Sequence, residues 1–122
     1  MAMDEEAVAS GAELEPRRVA ELVDRGAQLI DTRRDYEWAG GRIAGARHIE
    51  VNRITAEAAS LPRDRPIVFY CRTGNRSAMV TDAFREAGYD AYNLAGGITA
   101  WVEAGLGLEP DDGDVIDPLP AS

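Results

Sequence analysis

One side chain in this sequence can serve as a strong nucleophile: Cys71, the only cysteine among 122 residues. Six polar or glycine residues follow it, Arg72, Thr73, Gly74, Asn75, Arg76 and Ser77. Ahead of it runs Ile67-Val68-Phe69-Tyr70, β-branched and aromatic, which is the composition of a buried strand. Beyond the loop, Met79, Val80, Ala83 and Phe84 recur at helical spacing, so a helix is expected from about Asn75. The thiol therefore falls at the C-terminal end of a strand, in a loop that opens a helix. Helix N-termini offer unpaired N–H groups and partial positive charge, which suit anions. Gly74 and Asn75 tolerate left-handed backbone, and a loop curled around the sulfur would aim its N–H groups inward. With Arg72 and Arg76 alongside, these surroundings favour the thiolate, the nucleophilic form. An inert buried cysteine is the plainer reading, and it fits poorly with six polar or glycine neighbours.

Other residues could support such a site. Asp31 ends a short apolar run, Ala27-Gln28-Leu29-Ile30, and would lie at the same sheet edge as Cys71. There it could accept loop N–H groups. Arg33 and Glu37 are spaced to pair across one helical turn. All three are read as holding loops in place rather than reacting. Arg76 has two readings: it grips an anionic substrate, or it contacts a carboxylate such as Asp31. His48 is the tempting general base for a cysteine. It sits between Arg47 and Ile49 in an expected strand, so a structural histidine is the better reading. Trp38 and Trp101 are expected at the rim of the core.

The loop Cys71-Arg72-Thr73-Gly74-Asn75-Arg76-Ser77 resembles the active-site loop of the rhodanese family of sulfurtransferases. Ile30 to Trp38 with Gly41 to Ala46 is similar to that family's N-terminal signature, and Gly96-Gly97-Ile98-Thr99-Ala100-Trp101 to its C-terminal one. The likeness runs from about Glu13 to Leu106. One departure is Arg42, where the family usually has histidine. The resemblance implies a rhodanese-like open parallel sheet with helices on both faces. It implies a thiosulfate sulfurtransferase with Cys71 as catalytic residue, the loop from Arg72 to Ser77 as substrate-binding, and Asp31, Arg33 and Glu37 as supports. Sulfur would pass through a Cys71 persulfide, from a small anionic donor to cyanide or a thiol, without cofactor or metal. A protein partner in a sulfur relay is compatible with this. The rivals are an interaction or carrier module on the same fold, and a phosphatase or arsenate reductase with a related loop. Phosphatases carry their arginine six positions after the cysteine; here that position is Ser77, and Arg76 comes one residue early.

The whole chain fits these expectations. Its length suits one domain with a real core. A formal net charge of −9 argues against nucleic acid or an anionic membrane as partner. All thirteen basic residues are arginine, which excludes lysine-based Schiff-base or P-loop chemistry. One cysteine excludes an internal disulfide, and one histidine with one cysteine cannot form the usual zinc cage. The acidic start shows no signal-peptide pattern, so a reduced, cytoplasmic setting is the expectation. Alternating short apolar runs and helical spacings argue for parallel α/β architecture. Residues 1–12 read as a flexible lead-in, 13–108 as the domain, and 109–122 as an acidic, Pro-rich tail, disordered or extended.

Overall fold

The computed structural model describes residues 11–115. Five strands form one sheet: β1 (Glu13–Leu14), β2 (Gln28–Asp31), β3 (Arg47–His48), β4 (Ile67–Tyr70) and β5 (Ala91–Leu94). Their order is β1-β5-β4-β2-β3 and every pair is parallel. Parallel neighbours need crossovers, and helices supply most of them. These are α1 (Pro16–Asp24), α2 (Asp35–Gly40), α3 (Ile54–Glu57), α4 (Asn75–Glu86) and α5 (Gly97–Glu103). The expected open parallel α/β sheet, covered on both faces, is what the chain forms.

Strand alternation divides the core in two. Ile30, Ile67, Phe69 and Ala91 face Ile49, Ile54, Leu61, Val80 and Phe84. Leu29, Val68, Tyr70 and Leu94 face Val19, Ile43, Ile98 and Trp101. All four residues of β4 are buried, as befits the middle strand of five. Cys71 follows at once, so the thiol leaves the most enclosed strand in the sheet.

Three local expectations differ from the structure. Ala46 to Val51 reads as one strand, but only Arg47–His48 pair, and a 3-10 turn occupies Val51–Arg53. The alanine-rich stretch from Ile54 to Leu61 reads in sequence as a weak helix ended near Pro62, but it forms α3 followed by a 3-10 turn at Ala58–Ser60. The segment after Leu108 returns to the domain: Arg42 and Glu109 exchange backbone hydrogen bonds of 3.0 and 2.7 Å, and Asp114 N–H donates to Gly40 C=O at 2.9 Å. Val115 packs on the core beside Leu106 and Leu108. Gly41 is required there, because a Cβ on it would lie 2.5 Å from the Asp114 carbonyl oxygen.

Tyr70 offers a pH test of this core. Its hydroxyl oxygen accepts the Ile43 N–H at 3.2 Å. Burial, and then the charge of Asp31, raise its pKa well above the ordinary 10.0. The unfolded chain therefore ionises this group first. Its contribution is complete below pH 10 and is lost as pH rises beyond it. Tyr70→Phe should flatten that alkaline decline, at a cost of about 1–3 kcal/mol at neutral pH from the unpaired Ile43 N–H. Urea unfolding of both proteins at neutral and alkaline pH checks this; equal alkaline slopes would remove Tyr70 from the account.

Candidate active site

The loop after β4 closes tightly on its own sulfur. Gly74 N–H donates to Cys71 Sγ at 3.1 Å, and Ser77 Oγ lies 3.3 Å from the same atom. Gly74 can turn this way because its φ is +101°, open to glycine and strained for other residues. It is also the N-cap of α4, so the sulfur sits at the positive end of a 12-residue helix. Cys71 is 1% exposed. Thr73 and Asn75 are exposed, Arg72 and Arg76 half-buried, Gly74 and Ser77 buried.

The start of α5 holds the loop from the other side. Ile98 N–H donates to Cys71 C=O at 2.9 Å and Thr99 N–H to Arg72 C=O at 3.2 Å. This explains Gly96-Gly97 physically. Gly97 has φ +64°, and a Cβ on it would fall on the carbonyl oxygens of Cys71 and Arg72. Glycine there lets two backbones meet.

The supporting residues assemble differently from their spacing. Arg33 pairs with Asp31, not Glu37: Nη2 lies 2.7 Å from Oδ2, and Nε 3.0 Å from Oδ1. Both side chains are 0% exposed. Asp31 also accepts the Arg33 N–H at 2.9 Å, and Arg33 Nη2 donates to Gly41 C=O at 2.7 Å. Burial works against the Arg33 charge, but the hydrogen bond and charge of Asp31 outweigh it, and the pKa ends raised. Asp31 is thus committed to Arg33 rather than to loop N–H groups. The helical-turn pairing fails because α2 begins at Asp35, after Arg33. Glu37 instead accepts the Arg34 N–H at 3.1 Å and lies 3.8 Å from Arg76 Nη2. Arg76 therefore has a carboxylate neighbour, and it is Glu37, not Asp31.

His48 lies in β3, where its contacts are with Arg33, Asp35 and Trp38. Its Nε2 bonds the Arg33 carbonyl at 2.6 Å, and its ring stacks on Trp38 at 4.9 Å. Trp38 is half-buried at the rim, and Trp101 lies in the core. Two site residues carried no legible signal. Asn93 on β5 accepts from Ser77 Oγ at 2.6 Å and donates Nδ2 to Gly74 C=O at 3.0 Å. Glu13 on β1 grips the same Nδ2 at 2.9 and 3.0 Å. The available clue was a polar residue inside an otherwise strand-forming run, Ala91-Tyr92-Asn93-Leu94.

Beside Arg76 opens a cleft of about 140 Å³, lined also by Thr32, Arg34, Glu50, Val51 and Asn52. Asp31 pairs in register with Tyr70. Thr32 and Cys71 come next after these two strands, so cleft and sulfur share the carboxyl edge of the sheet, where open α/β sheets bind ligands. Among the described residues, no three His, Cys, Asp or Glu side chains gather as a metal would need, and no helix is long and apolar enough to cross a membrane.

This parallel α/β domain presents its single cysteine, held by a backbone N–H and a hydroxyl, at the carboxyl edge of its central strand. The match to known proteins makes the class specific. Residues 15–104 match the Rhodanese-like domain family, and the chain belongs to it. It is 36% identical over 87 residues to the thiosulfate sulfurtransferase GlpE of Pseudomonas aeruginosa, covering 70% of this chain and 79% of that protein. It is 39% identical over 116 residues to the probable adenylyltransferase/sulfurtransferase MoeZ of Mycobacterium tuberculosis, covering 91% of this chain but only 29% of that protein's length. Among solved structures, a rhodanese-related protein from Thermoplasma volcanium superimposes with a TM-score of 0.74 at 25% identity, covering 79% of this chain and 95% of that one.

Proposed function

We propose that this domain is a sulfurtransferase, moving sulfane sulfur from thiosulfate or a persulfide donor to cyanide or a thiol through a Cys71 persulfide. The observation that carries the reading is the pair of contacts on Sγ from Gly74 N–H and Ser77 Oγ. Such groups favour negative charge on sulfur and can follow it onto an added sulfur atom.

The Cys71 thiolate attacks the outer sulfur of thiosulfate, whose S–S bond breaks, and sulfite leaves with the electron pair. A nucleophilic acceptor then attacks the terminal sulfur, and Cys71 departs as thiolate. Two such half-reactions make a ping-pong cycle. Arg72 and Arg76 attract the dianionic donor, and the loop from Thr73 to Ser77 encloses the transferred atom. Asp31, Arg33 and Glu37 hold that loop's neighbours. A reduced, cytoplasmic compartment suits this chemistry, and the acceptor thiol can belong to a partner protein.

Intact-mass measurement tests the reading. Incubation with thiosulfate should add one sulfur atom per chain, and cyanide should remove it. An unchanged mass would overturn the proposal; hydrolysis of an aryl phosphate in its place would favour phosphatase chemistry. Arg72→Ala should raise the KM for thiosulfate more than it lowers turnover, because it removes attraction for the free anion. Steady-state rates at low and moderate salt check this, and an unaltered KM would take Arg72 out of donor binding.

A further inference from the structure

Ser77 carries one hydroxyl proton and has two neighbours to give it to. Asn93 Oδ1 is 2.6 Å away and Cys71 Sγ is 3.3 Å away. All three side chains are buried, Ser77 at 0% and Cys71 and Asn93 at 1% exposure, so no bulk water arbitrates. Which neighbour wins depends on which end of the Asn93 amide faces Ser77.

That end is decided by Glu13. The opposite end of the amide meets three acceptors: both Glu13 carboxylate oxygens and the Gly74 carbonyl. Only the NH2 group can satisfy acceptors. Oδ1 is therefore turned to Ser77, where it must accept. Glu13 reaches this position because β1 pairs with β5 in the register Glu13 to Asn93. A carboxylate from the edge strand thus settles the hydrogen bonding next to the nucleophile.

We infer that Asn93, clamped by Glu13, is a positioning residue that competes with the Cys71 sulfur for the Ser77 proton. The inference deepens the sulfurtransferase reading by adding a regulator of its nucleophile. With a neutral thiol, Ser77 donates to Asn93 and leaves a lone pair for the S–H. When sulfur is anionic, as thiolate or persulfide, Ser77 must turn its proton away from Asn93 to reach it. The turn gives up the shorter of the two bonds. Asn93 thereby limits how far the cradle stabilises charge on sulfur, and this keeps a loaded sulfur from being held too tightly to leave. No bond to carbon or sulfur is made or broken in the switch; a hydroxyl rotates.

Asn93 also anchors Gly74, so its removal has two effects, which a double-mutant cycle separates. The measurement is the pH midpoint of Cys71 alkylation by iodoacetamide, in wild type, Asn93→Leu, Ser77→Ala and the double variant. No sulfur donor is present, so this result and the sulfur-loading result can fail separately. Loss of the Gly74 anchor acts in both backgrounds. Release of the Ser77 proton acts only where Ser77 is present. Asn93→Leu should therefore lower the midpoint, relative to its effect in the Ser77→Ala background, by a shift equivalent to roughly tenfold in the thiolate equilibrium. Should Asn93→Leu fail to fold, Glu13→Gln replaces it in both backgrounds. A glutamine lets the Asn93 amide flip, so the coupling should keep its sign and be smaller. Zero coupling, or coupling of opposite sign, in a folded set would overturn the inference.

Discussion

Cys71→Ser should reduce thiosulfate:cyanide turnover to background. No second cysteine exists to take over, and a hydroxyl at this position is too weakly acidic to attack a sulfane sulfur at neutral pH. The fold should survive, because serine is slightly smaller than cysteine and can keep contacts with Gly74 N–H and Ser77. Circular dichroism and urea unfolding establish the fold, and a cyanide-dependent thiocyanate assay reads the activity. Turnover clearly above background in folded Cys71→Ser would place the chemistry on another residue.

The second large effect is on stability. Asp31→Ala should lower the unfolding free energy by about 3–5 kcal/mol, since it strands a buried guanidinium without its counter-charge. Both partners are 0% exposed and the contact is forked, so little water can compensate. An exposed pair supplies the control: Arg18 and Glu21, 47% and 60% exposed, lie 3.1 Å apart on α1. Glu21→Ala should change stability by no more than about 0.5 kcal/mol. Urea unfolding of both variants at neutral pH decides the matter. Similar losses in the two would mean that the Asp31–Arg33 pair matters little to the fold. Disruption should also reach the edge that carries Cys71, because Asp31 is in register with Tyr70, the residue before it.

The chain declared the middle of its sheet and concealed the edges. Ile67 to Tyr70 is legible because a central parallel strand is apolar throughout. The loop is legible because glycine and polar residues interrupt that run next to a thiol. β1 is two residues long, and no periodicity can announce so short an element. Its importance comes from Glu13 meeting Asn93 across 80 positions of sequence. Asp31 and Arg33 misled for a related reason. Helical spacing suggested a partner four residues on, but Arg33 lies before α2, and a fork two residues back is open to an extended chain. Sequence alone leaves Arg76 between substrate and carboxylate; the carboxylate beside it is Glu37, which no local pattern links to it.

The solitude and burial of Cys71 carry a consequence for stoichiometry. On the sulfurtransferase reading each chain has one slot for sulfur, because Cys71 is its one thiol, and that thiol is only 1% exposed. If the chain carries sulfur as proposed, it holds no second thiol that could discharge the cargo. The domain counts in ones. On that reading a sulfur placed on Cys71 waits for a visitor slim enough at its reactive end to enter the loop, and the inventory of loaded protein would equal the inventory of deliverable sulfur.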